Sequence, residues 1–162
     1  MRKAMYAFAV AALIYLVTML IIAVAGPAQM PTHAGLRGGV DAWGSKGRFL
    51  LNSTYAVVIA AFLLILAANV RRFPASIVNT PHRDYWLTEE HRPRFDRLVA
   101  SMMIGIAALQ LLLFSAINIA GMWVRHESWY YPTALVLFFL GLASVIGSTV
   151  VRLYREPGAR RT

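Results

Sequence analysis

The sequence predicts an all-α polytopic membrane protein with four transmembrane helices, both termini cytoplasmic, an ordered outer loop and an interfacial inner loop. Three observations lead there. The 162-residue chain is 59% apolar and only 14% charged, against roughly 25% charged in average soluble domains. Its apolar residues gather into four runs, each near the roughly 20 residues that a helix needs to cross a bilayer. Its Lys and Arg residues fall mainly on one side of those runs, the asymmetry of a positive-inside topology. A soluble fold of this size would have to hide four apolar helices behind very little polar surface, so the whole of 1–162 is read as one four-helix membrane domain.

The first run, residues 4–25, begins "AMYAFAVAALIYLVTM" and would reach roughly 33 Å as a helix. Backbone amides in hydrocarbon need internal partners, so each run is expected to be helical despite its β-branched residues. The preceding "RK" and the triplet Ala23-Val24-Ala25 give this run a signal-peptide flavour. Its length exceeds the usual apolar core of about 7–15 residues, which favours an uncleaved anchor. Residues 26–48 form the outer loop. The second run, 49–70, centres on "YAVVIAAFLLILAANV". Asn52-Ser53-Thr54 at its start matches a glycosylation acceptor, but lies so close to the span that it reads as a capping or first-turn segment.

Residues 71–97 form the inner loop, and the third run covers 98–124. It carries Gln110 and Asn118 at membrane depth. Eight residues apart, they share a helix face and are expected to make interhelical hydrogen bonds, with a substrate path as the alternative. The fourth run covers 131–151. Ser101/Gly105, Ala143/Gly147 and Ser144/Ser148 are four apart and permit close helix approach.

Charge orients the bundle. Of the sixteen Lys and Arg, twelve precede the first run, occupy the inner loop or follow the fourth run. This places both termini inside, and the outer loop outside. Trp123, Trp129, Tyr130 and Tyr131 cluster beside the last outer loop, where amphipathic rings favour headgroups. A net charge of +9 would point to nucleic acid in a soluble protein. Here the cations adjoin apolar segments, so membrane lipids are the expected partner and nucleic acid is not. Without cysteine there is no disulfide or thiolate chemistry. No Asp, Glu, Lys, Arg or His lies deep within a run, which argues against a proton-coupled pump.

The inner loop, "RRFPASIVNTPHRDYWLTEEHRPRFDR", contains two helix-start signals. Thr80 can cap a helix with Pro81 in its first turn, and Thr88 precedes Glu89 and Glu90. Pro74 should stop the second helix, and Pro93 should limit or kink the approach to the third. Tyr85, Trp86 and Leu87 are expected in the headgroup layer beside Arg83 and Arg92. The loop is either an interfacial collar or a docking surface for a cytoplasmic partner. His82 and His91 are candidate metal ligands or pH sensors, with simple solvation or hydrogen bonding the commoner role.

The outer loop reads "PTHAGLRGGVDAWGSKGR". Five glycines allow turns and close backbone approach, while Pro31 stiffens the beginning of the loop. Such a segment is expected to fold back over the bundle. His33 and Asp41 could pair, the carboxylate orienting the imidazole as in a general base and its orienter. Ser45 and Ser53 are available hydroxyls without nucleophile spacing. With His126 from the other outer loop, His33 and Asp41 form a conceivable metal trio. Lys46 and Arg48 suit phosphate contact or capture of an anionic ligand. The alternative is architectural, with His33 and Asp41 satisfying loop backbone and Trp43 packing at the interface.

These residues resemble a known family. "MPTHAGLRGGVDAWGSK" is similar to the opening domain, of unknown function, of bacterial sporulation-delaying-protein immunity proteins and of many small membrane proteins. Pro31, His33, Gly38, Asp41, Trp43, Gly44 and Lys46 fall on its fixed positions. Asn79, Pro81, Tyr85 and Trp86 match an inner Asn-x-Pro-x-x-x-Tyr-Trp stretch of one branch. Gly35 stands where the family carries Asn, and Ala34 where it carries a bulkier residue. The resemblance spans about two thirds of the chain. It implies a bacterial cytoplasmic-membrane protein that protects against a secreted peptide and sequesters a repressor at the membrane, although the immunity proteins are longer than four spans.

The leading expectation is therefore a ligand-sensing or immunity- and signalling-like membrane protein. Its outer loop would contact a peptide, lipid or envelope component, and its inner loop would report to a cytoplasmic repressor. A structural or accessory subunit, joined through small-residue faces to a membrane-protein partner or a second copy, is the alternative. A membrane metal protein or enzyme built on His33, Asp41 and His126 is the third reading, less favoured. No cofactor is expected. Transport is weaker still, since no intramembrane charge supports it.

Overall fold

The computed structural model describes residues 1–35, 39–123 and 129–155. Four long helices carry the fold: α1 (Arg2–Ala25), α2 (Lys46–Asn69), α4 (Arg92–Ala120) and α5 (Tyr130–Arg155), with a short α3 (Arg83–Trp86) between α2 and α4. All four long helices are apolar and long enough to cross a membrane. The chain is a small helical integral-membrane protein with several passes.

Helix α4 is the axis of the bundle. It packs against α1, α2 and α5, whereas α1 and α2 touch each other little. It is accordingly the most buried of the four, and α5, resting on α4, the least. The middle of the bundle closes largely on alanine, with Ala11 of α1, Ala56 and Ala60 of α2, and Ala107 and Ala108 of α4 packed together with Tyr15 and Leu111. Alanine on all three helices lets backbones approach, which replaces the hydrophobic drive that lipid removes. Between α4 and α5 the contact is made by Gly105 against Val145, and by Gly141 against Leu109. A Cβ on Gly141 would sit 3.0 Å from the Leu109 side chain. Of the expected small-residue pairs, Gly105 is therefore used, while Gly147 has no neighbour within 4 Å of a built Cβ.

The helix ends depart from the expected spans by a few residues. Helix α2 begins at Lys46 because the Ser45 hydroxyl accepts a hydrogen bond from the Arg48 amide at 3.3 Å, a side-chain N-cap. Asn52-Ser53-Thr54 is thus inside α2 and not its first turn. Helix α4 begins at Arg92, six residues before the apolar run, with Pro93 in its first turn, where the missing amide costs no hydrogen bond. Thr88 closes a turn instead of starting a helix: its carbonyl accepts from the His91 and Arg92 amides. Pro81 likewise precedes α3, whose N-cap is His82, held in the left-handed region at φ 51°. Val70–Arg72 and Ala75–Ile77 are short 3-10 turns that flank Pro74.

The loop expected on the outer side is a two-stranded antiparallel hairpin, β1 (Gln29–Ala34) and β2 (Val40–Ser45). The expectation of an ordered loop did not extend to strands. Its register pairs Met30 with Gly44 and Pro31 with Trp43, and shifts on either side of His33. A lone hairpin is marginally stable in water, so this one depends on its docking. Met30 is fully buried with Ile22 and Phe49, and Pro31 lies against Gly121 at the end of α4. The Gly35 amide donates to the Gly39 carbonyl at 2.8 Å, joining the strands near the tip. Gly44 is required by close approach: a Cβ there would meet the Thr32 methyl at 2.7 Å.

A third cluster sits at the opposite end. Trp86, Phe95 and Leu153 are buried together, and the indole N–H donates to the Leu153 carbonyl at 2.9 Å. Trp86 is therefore a core residue, not a headgroup anchor. The buried Asp96 accepts from Arg92 Nε at 2.9 Å, and the same guanidinium donates to the Phe73 carbonyl at 2.8 Å. One arginine thus ties the start of α4 to the chain leaving α2.

Candidate functional site

The hairpin register brings His33 and Asp41 together. His33 stands opposite Ala42, next to Asp41, and its Nδ1 lies 2.5 Å from Asp41 Oδ1. Both side chains are more than half exposed, so the pair faces the surroundings and not the bundle core. Trp43, on the same strand two residues further on, is also exposed.

Beneath the hairpin lies a cavity of about 290 Å³. Pro31, Thr32 and His33 form one wall, and α2, α4 and α5 supply the rest, including Phe49, Phe114, Tyr131 and Leu135. Polar side chains along it are Thr32, His33, Asn52, the buried Ser53, the buried Asn118 and Tyr131. An apolar chamber with a small number of placed polar groups is the usual build of a small-ligand or side-chain site.

Its floor is a hydrogen-bonded network across three helices. Tyr15 of α1 donates its phenol to the Ser53 carbonyl at 2.5 Å. The Ser53 hydroxyl lies 3.0 Å from the Phe49 carbonyl and 3.4 Å from Asn118 Oδ1. Asn118 Nδ2 in turn points to the Met19 sulfur at 3.5 Å. Deeper along α4, Gln110 donates to the Ala56 carbonyl at 3.1 Å, while its buried Oε1 has no hydrogen-bond partner among the described residues. Both intramembrane amides thus bridge helices, and Asn118 also borders the cavity.

The remaining motif residues separate by role. Lys46 Nζ donates to the Ala23 carbonyl at 3.0 Å, a cation on the negative end of α1. Gly44 admits Thr32, and Pro31 wedges the hairpin onto α4. Gly38 and His126 lie outside the described residues. Among those described, no three His, Asp or Glu side chains gather around a common point. The inner motif is distant from the cavity. Trp86 fills the opposite core, Tyr85 stacks on His91 at 3.9 Å between ring centroids, and Asn79 is exposed beside a half-buried Pro81. His91 Nδ1 meets the Thr88 hydroxyl at 2.9 Å, and His82 lies edge-on to Tyr154.

Sequence reasoning missed Asn52, Phe114, Tyr131 and Leu135 as cavity-lining residues, and Tyr15 as a member of the hydrogen-bonded network beside them. For Tyr15 a signal existed: it is a phenol in mid-span, three residues before Thr18 on the same face. A buried tyrosine hydroxyl in hydrocarbon requires an acceptor. Comparison with models of protein families, with curated proteins and with solved structures finds no match to this chain.

Proposed function

We propose that this chain is a ligand-sensing, immunity- or signalling-like membrane protein whose hairpin and underlying cavity form the contact site. The carrying observation is the 290 Å³ chamber, bounded by the motif strand and by three helix ends, with the exposed His33–Asp41 pair at its rim. Apolar walls suit an apolar side chain of a peptide or an acyl-like group, and the rim pair and Trp43 suit its polar neighbour. In this reading the twelve-cation side of the bundle is cytoplasmic, which makes the hairpin outward-facing. The inner collar around Trp86 then reports occupancy to a cytoplasmic repressor-like partner. Resemblance of the hairpin to the immunity-protein domain supports the same assignment.

A photoreactive amino acid at Leu135, inside the cavity, tests this against one at the exposed Leu137 on the same helix. A discrete adduct from position 135 alone, lost in His33→Ala or Trp43→Ala, is expected in native membranes. Identical adducts from both positions, or adducts indifferent to those variants, would overturn the assignment.

An accessory-subunit reading is favoured by one observation: α5 rests mainly on α4 and presents Val136, Phe139 and Leu140 outward. A stoichiometric partner crosslinked through that face, in place of lipid, would support it.

A further inference from the structure

We propose that the end of the bundle opposite the hairpin holds a binding site for the phosphate of an anionic glycerophospholipid. A groove of about 540 Å³ opens there between the start of α1, the start of α4 and the end of α5. Lys3, Arg97 and Arg152 line it from those three helices, and no Asp or Glu lies among its described lining residues. All three cations are exposed. Helices of 24 to 29 residues are roughly 36 to 44 Å long, so their termini stand at headgroup depth.

The local electrostatics favour an anion. The first turns of α1 and α4 contain no acidic residue, so two positive helix ends add to the side-chain cations. Asp96, the nearest carboxylate along α4, is taken by Arg92. Below the cations, the groove continues along Leu98, Met102 and Val145, which form an apolar track for an acyl chain. The Ser101 hydroxyl donates to the Arg97 carbonyl at 2.7 Å, and the Ser148 hydroxyl to the Val145 carbonyl at 3.0 Å. Their free lone pairs accept, which suits a hydroxylated headgroup such as glycerol. A free phosphate would satisfy the cations but leave the apolar track empty.

The test uses the full chain purified in mild detergent, with phosphatidylglycerol, phosphatidylcholine or inorganic phosphate added. Native mass spectrometry should show retained phosphatidylglycerol in preference to phosphatidylcholine. Arg97→Gln and Arg152→Gln should each reduce that retention about fivefold, the scale of one cation near an anionic surface, and Arg72→Gln, outside the groove, should leave it unchanged. A photoactivatable phosphatidylglycerol on the unmodified protein should label residues 98–105 and 145–152, which settles the site even if a variant fails to fold. Equal retention of phosphatidylcholine, label elsewhere, or unchanged retention in the folded variants would overturn the proposal. Thermal stabilisation by inorganic phosphate equal to that by phosphatidylglycerol would overturn the lipid as occupant.

Discussion

Trp86 and Leu153 are 67 residues apart, and the indole N–H of one donates to the backbone carbonyl of the other at 2.9 Å. This bond fastens the loop between α2 and α4 to the last turn of α5, a helix with little other burial. The fully buried ring adds its packing on Phe95. Trp86→Ala should cost about 3–5 kcal/mol, as large aromatic deletions do, and Trp86→Phe about 1–2 kcal/mol through the orphaned carbonyl. Thermal unfolding in detergent, with proteolysis of the inner loop as a second readout, measures both. A loss below about 1 kcal/mol for the alanine variant would contradict this placement.

The hairpin rests on one tight contact. A methyl at position 44 would lie 2.7 Å from the Thr32 Cγ2, so Gly44→Ala should destabilise by about 1–3 kcal/mol, the usual cost of overpacking. Thr32→Ser removes that methyl, and the double variant should recover most of the loss. Additive losses in the double variant would mean that the two residues do not touch.

His33 and Asp41 are a surface pair, so their contribution to folding should be no more than about 1 kcal/mol. His33→Ala and Asp41→Asn should therefore express and melt close to the parent while losing the adduct formed from position 135. A variant that unfolds instead would assign the pair to architecture.

The two buried amides should behave differently. Gln110 donates to the Ala56 carbonyl, and its Oε1 is unpaired among the described residues. Interhelical hydrogen bonds in membranes average only about 0.6 kcal/mol, so Gln110→Leu should fall within about 1 kcal/mol of the parent in a denaturation assay. Asn118→Leu fills part of the cavity border and breaks the contacts with Ser53 and Met19. It should block the cavity adduct at comparable stability.

Orientation is open to a direct measurement, because the chain has no cysteine of its own. A cysteine at Gly39 should react with an impermeant maleimide in intact cells, and one at Ser76 only after permeabilisation. The reverse pattern would invert the topology.

The sequence by itself determined the four helices. Hydropathy over about 20 residues is a property of the chain read in one dimension, and lipid leaves helix as the simplest way to pair the backbone. It also identified Gln110 and Asn118 as helix-bridging amides, since a polar group in an apolar run must find a partner. It could not say which partner. Ala56, Ser53 and Met19 lie 54, 65 and 99 residues away, and only helix packing selects them. The strands were hidden for a related reason: "QMPTHA" and "VDAWGS" have weak strand character, and their pairing is sustained by Met30 buried against Ile22 and Phe49. Trp86 carried the composition of a headgroup anchor, yet the end of α5 covers it. Lys46 looked like an anion contact, yet its ammonium reaches the carbonyl of Ala23. Local chemistry sets what each side chain can do, and the three-dimensional neighbours, brought from distant parts of the chain, decide which of those options it takes.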